Sequence, residues 1–184
     1  VEDPPALSYR RDGWADPDAW REQARQAVLA CLACPKLPTQ VEVQVLGEHH
    51  EEGLLIEELA WQLPYGPATR ARRLRPEGQR GPLPGILALH CHGGVKYFGY
   101  EKITRCGQTH PLMVTHQEQY YSGRAWANEI AKRGYVVLAP DAFPFASRRV
   151  RLADVPPALR LDYTDTDRDD SACIVRYNES AALH

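Results

Sequence analysis

Hydrophobic and polar positions change period along this chain of 184 residues. The changes divide it into elements. Residues 1–15 show no period and contain Pro4, Pro5 and Gly13, which predicts an irregular arm. Asp16 then stands before Pro17, a helix cap followed by a residue suited to the first turn. Trp20, Ala24, Ala27, Val28, Leu29, Cys31 and Leu32 form a helical stripe that stops before Pro35. From Val41 the period drops to two: Val41, Val43 and Val45 alternate with Glu42 and Gln44, predicting a half-buried strand. A polar turn ending at Gly53 leads into a second strand over residues 54–63. After the turn at 64–67, residues 69–74 read as a third, edge-like strand.

The second half has a different rhythm. A Gly- and Pro-rich loop over 77–84 precedes a short apolar run, residues 86–90, bounded by turn residues as a fully buried strand would be. A long connection from 93 to about 119 follows, a length that compact domains tend to reserve for function. Ser122 is placed to cap a helix carrying Trp126, Ile130 and Ala131 and closing at Gly134. Residues 135–139 read as another buried strand, 141–151 as a loop, and 171–184 as a final helix. Strand, helix and strand in this order predict a parallel pair joined by a right-handed crossover. The fold class is therefore α/β, with antiparallel strands at its N-terminal edge. The domains divide into an arm and helix, 1–39, and a sheet domain, 40–184.

Composition narrows the function. Charged residues make up 25% of the chain and the net charge is −2, which argues against a nucleic-acid or membrane-surface role carried by bulk charge. No apolar run is long enough to span a bilayer, and the N-terminal residues lack the apolar core of a signal peptide. Five cysteines without framework spacing point to a reducing, cytoplasmic setting. Arg70, Arg72, Arg73, Arg75 and Arg80 form a cluster readable as an anion patch or, more plainly, as the solvated face of an edge strand and loop.

The densest chemistry lies in residues 83–94, LPGILALHCHGG. Glycines just past a buried strand let backbone approach a ligand and aim N–H groups at developing negative charge, the requirement of an oxyanion hole. His90-x-His92 has the alternation of a ligand pair, but no third ligand stands at a convincing spacing, so no metal is expected. Cys31-x-x-Cys34 closes a helix instead of opening one, and reads as structural. Cys91 is a thiol beside the turn or a buried spacer. The aspartates Asp162, Asp165, Asp167, Asp169 and Asp170 lack the Gly and Glu of a calcium loop. No G-x-S-x-G occurs, and no G-x-G-x-x-G follows either buried strand, which disfavours a dinucleotide binder.

The run PGILALHCHGG, the helix GRAWANEIAKRG, the strand YVVLAPDAF and the following Ser147-Arg148-Arg149 together resemble the α/β-hydrolase superfamily, in its dienelactone hydrolase and acetyl xylan esterase-like branch. The resemblance covers residues from about 40 to 184. It implies an esterase-like hydrolase of small-molecule esters working by nucleophilic acyl transfer without a cofactor, on a mostly parallel sheet. His92, Gly93 and Gly94 fall on the oxyanion loop, and Asp141 on a structural acidic position. Tyr97, Phe98, Phe143 and Phe145 are candidate pocket lining, and Ser147, Arg148 and Arg149 candidate substrate contacts. Ser147 and Ser122 both lack the flanking glycines of a nucleophile elbow. The resemblance places the elbow, acid and base beyond His184, so the chain is expected to be an N-terminal part of a larger domain, inactive alone, with residues 135–139 as the open edge of its sheet. The partner expected is the C-terminal remainder; self-association into a homo-oligomer is left open. The other class is a non-catalytic binding or assembly module built on the same half-fold.

Overall fold

Residues 5–11, 13–32, 36, 38–93, 95–149, 151 and 157 are described by a computed structural model. Gly94, Cys34, the aspartate-rich stretch and the expected final helix lie outside the described residues. The chain divides into two compact units, Val1–Pro38 and Thr39–His184.

In the first unit, helix α1 spans Pro17–Leu32. The Asp16 carboxylate accepts the Asp18 N–H at 2.9 Å, the cap expected from the sequence. The Trp20 indole donates to the Leu7 carbonyl at 2.8 Å and packs on Tyr9, which fixes the arm against the helix.

The second unit is an open mixed sheet with helices. Strand β1 (Val43–Glu51) turns into β2 (Leu54–Trp61) through Glu52 and Gly53, both at positive φ, the backbone of a two-residue hairpin with the right twist. Strand β3 (Thr69–Pro76) follows antiparallel to β2. Strand β4 (Gly85–Leu87) and strand β5 (Val136–Pro140) are parallel, joined by a crossover that holds α2 (Pro111–Tyr121) and α3 (Trp126–Ala131). The order is β1-β2-β3-β5-β4.

That order corrects several expectations. The sheet is mostly antiparallel among the described residues: three of its strand pairings are antiparallel and one is parallel. Tight turns can join only antiparallel neighbours, and this part of the sheet contains a single crossover. Strand β3 is internal, because β5 returns beside it, pairing Leu74 with Val137 and Ala71 with Pro140. Consequently β5 is not the open edge. That position falls to β4, whose Leu87 is 62% exposed, and Leu89 just past it is 59% exposed, so the apolar run at 86–90 is not a fully buried strand. The β1 valines are exposed as well, since β1 ends the sheet on the other side.

Two of the β3 arginines are paired across the strands. Arg73 faces Glu57 and Arg72 faces Glu58 in the β2–β3 register, and both pairs are bonded. Arg72 also stacks on Tyr100 and donates to Thr104, so it is neither solvated nor on an edge. Two further corrections concern the crossover. Ser122 ends α2 in the left-handed conformation instead of starting α3. The long connection is itself partly helical, with His110 capping α2 through its ring and Pro111 in the first turn. Among the described residues, no helix is long and apolar enough to cross a membrane.

The core gathers Leu54, Ile56, Leu74, Val137 and Ala139 from the sheet against Ile103, Ala127 and Ala131. Leu74→Ala should cost about 2–5 kcal/mol by urea unfolding, whereas Leu87→Ala should cost under about 1 kcal/mol. Equal losses would contradict the assignment of β3 to the interior and β4 to the edge.

Candidate functional site

Ligands of open α/β sheets bind beyond the carboxyl ends of parallel strands. Here β4 and β5 are the parallel pair. Residues 88–93 and 95, after β4, and residues 141–149, after β5, emerge side by side, and buried polar bonds tie them together.

His90 makes the first tie. Its Nε2 accepts the Ala142 N–H at 3.1 Å, which can only donate, so the ring proton sits on Nδ1 and points at the Cys91 carbonyl, also at 3.1 Å. Burial, then the backbone bond's smaller opposing effect and the nearby Lys102 and Lys96 charges, leave the ring below its ordinary pKa, hence neutral at pH 7. With both nitrogens engaged, His90 is a strut between the turns. Among the described residues, no group of three metal-binding side chains converges.

Lys102 makes the second tie. Its side chain is fully buried, and its ammonium donates to the His92 carbonyl at 2.8 Å and lies 3.5 Å from the Cys91 carbonyl. The ammonium stands 4.3 Å from the centre of the Phe145 ring, and that of buried Lys96 stands 4.1 Å from it. Burial is the main reason that the Lys102 pKa falls to about 8. His90 and His92 both meet Phe145 edge-on, so one ring of the second turn meets two side chains of the first.

Asp141 ties the β5 turn within itself and to the crossover. The Tyr100 N–H donates to one of its oxygens at 3.0 Å and the Ser147 N–H to the other at 3.1 Å. Burial raises its pKa, against these bonds that favour the anion. Gly99 must be glycine beneath it: a Cβ there would fall 2.0 Å from the carboxylate.

Of the expected site residues, Gly93 sits at φ +50°, its conformation pressed against α2. A Cβ on it would lie 2.3 Å from the His116 ring. His92 gives its carbonyl to Lys102 and its ring to Phe145. Tyr97 and Ser147 line one cleft of about 570 Å³ together with Arg70, Glu101, Asp141 and Arg149. The Arg149 guanidinium lies over the Tyr97 ring at 4.3 Å. Phe98 is elsewhere, buried beside His110 and lining a separate small cleft. Phe143 is 51% exposed and Arg148 lies near it and Tyr65, so neither joins the cleft. Phe145 is buried under the lysines and supports the turn from behind.

The sequence reading missed Lys102, Lys96 and His116. The scarcity of lysine was a usable signal. Only four occur among 22 basic residues, and two of those are buried here.

No protein-family model matches the chain, and no curated protein matches it by sequence. Its fold is similar to the crystal structure of a Bacteroides fragilis protein provisionally described as an acetyl xylan esterase. The TM-score is 0.59 at 21% identity, over 79% of this chain and 36% of that one. Two structures of a Solibacter usitatus glucuronoyl esterase align at 15% and 14% identity, covering 92% and 98% of this chain and 49% and 52% of theirs. Their TM-scores are 0.39 and 0.42. The chain thus shares its fold with part of the Bacteroides fragilis protein and spans about a third of that protein's length.

Two outcomes are expected. Gly93→Ala should destabilise the fold by about 1–3 kcal/mol, read by urea unfolding, since both φ and the His116 contact oppose a side chain. His90 titrates near pH 6.5 when unfolded and lower when folded, so its contribution is complete above pH 6.5 and is lost as pH falls through the folded value. His90→Gln retains an acceptor for Ala142 without titrating, and should lose less stability than the native chain between pH 7 and 5. Parallel stability curves would contradict the neutral, buried assignment.

Proposed function

We propose that this chain forms the oxyanion side of an ester-hydrolysing α/β-hydrolase domain, related to the dienelactone hydrolase and acetyl xylan esterase-like branch. The observation that carries the reading is the Gly93 turn: it lies past the parallel strand β4, has left-handed backbone, and is held from behind by Lys102. The fold likeness supports the same reading.

In this mechanism a nucleophile attacks the ester carbonyl, and main-chain N–H groups of the turn 92–94 hold the oxygen as it becomes negative. Such donors act by being fixed before the reaction. Lys102 holds the carbonyl side of the turn, leaving the N–H side to face substrate. Each donor of this kind is worth about 10²–10³ in rate. Small-molecule esters are the substrate class, and the cleft holding Tyr97, Ser147 and Arg149 is the proposed wall of the pocket. No cofactor takes part.

The nucleophile, acid and base lie outside this chain in this reading, on the C-terminal remainder of the same domain. The edge position of β4, with Leu87 on it and Leu89 just past it both exposed, supports a further strand pairing there, which would make the completed sheet mostly parallel. A cytoplasmic setting and self-association belong to the same proposal.

A serine-reactive fluorophosphonate tests it. The polypeptide that continues past His184 should gain one adduct by intact mass and hydrolyse p-nitrophenyl acetate, and the 184-residue chain alone should do neither. Turnover by the chain alone would place the nucleophile within it. An unlabelled, inactive longer polypeptide would favour a non-catalytic module.

A further inference from the structure

The Cys91 sulfur lies 3.4 Å from Nε2 of His116. The thiol is partly exposed, while the imidazole is buried. Burial, then the charges of Lys102 and His90, hold the His116 pKa below its ordinary value. A neutral His116 can accept the thiol proton or turn an Nε2–H toward the sulfur. Two further groups meet Cys91. The Lys102 ammonium reaches the Cys91 backbone, and the Tyr121 hydroxyl, on the same helix as His116, is hydrogen-bonded to Cys91. A nucleophilic thiol needs this combination of cation, base and partial exposure. The ester hydrolysis proposed above uses the main chain of the turn and leaves the sulfur without a role.

We propose that Cys91 is a modification site, a nucleophilic thiol that hydrogen peroxide oxidises to the sulfenic acid. The sulfur attacks one peroxide oxygen, and the S–O bond forms as the O–O bond breaks. Sulfur gives up two electrons to the peroxide. The thiol proton passes through His116 to the departing hydroxide, which leaves as water. The oxygen is added beside the Gly93 turn, where a Cβ on Gly93 would already come within 3.1 Å of the sulfur. This reactivity follows from the surroundings of the thiol and does not rest on the ester-hydrolase reading.

The test treats the purified chain with hydrogen peroxide at pH 7 in the presence of dimedone, and follows each cysteine by peptide mass spectrometry. Cys31, exposed on α1, is the internal reference. Cys91 should be labelled at least about tenfold faster than Cys31, and folded His116→Gln or His116→Asn should bring it down to the Cys31 rate. Labelling of Cys91 no faster than Cys31 in the unaltered chain would overturn the proposal. So would a rate that neither substitution changes in a folded protein.

Discussion

A buried ammonium is the constraint on which the candidate site depends. Lys102 is fully enclosed, and an unpaired charge so placed costs several kcal/mol. The cost is offset by the His92 carbonyl, the Cys91 carbonyl and the face of Phe145. Each of these belongs to one of the two turns that emerge past β4 and β5. Satisfying the charge therefore fixes both turns at once. His90 and Asp141 add bonds of the same kind, joining 90 to 142, 141 to 100, and 141 to 147. The oxyanion role proposed for the first turn requires rigidity beforehand, and here the rigidity comes from buried polar groups whose alternatives are worse.

The sheet supplies the platform. Hairpins at one end are closed by Glu52-Gly53 and by the cross-strand pairs Glu57–Arg73 and Glu58–Arg72. The β4–β5 crossover then brings two chain segments, about fifty residues apart in sequence, into neighbouring positions at one end of the sheet. Helix α2, within that crossover, carries His116 back to Cys91 and Gly93.

Much of this was legible in the sequence. The Asp16-Pro17 helix start, the Gly53 turn, the parallel pair and the HCHGG turn all depend on local signals: caps, positive-φ residues and short apolar runs. Strand order has no such local signal, and the pattern alone makes β5 an edge and β3 an outer strand. Leu87 and Leu89 are apolar yet exposed, a conflict between residue type and burial that a pattern alone cannot reveal. Helix α2 was hidden because its buried face is Met113, His116 and Gln117, mostly polar residues that leave no apolar stripe. Lys102 was hidden for a related reason: lysine ordinarily marks solvent, and its burial depends on carbonyls and a ring that only the fold brings near. Within the expected lining, the fold gathers Tyr97 and Ser147 with Arg149, and sends Phe98, Phe143 and Arg148 elsewhere.

Amide hydrogen exchange of the native chain and of Lys102→Met tests most directly whether this ammonium holds the site together. Protection should drop in residues 90–95 and 142–147 together, while β2 and β3 keep theirs. Unchanged exchange in both turns, or loss in only one of them, would contradict it.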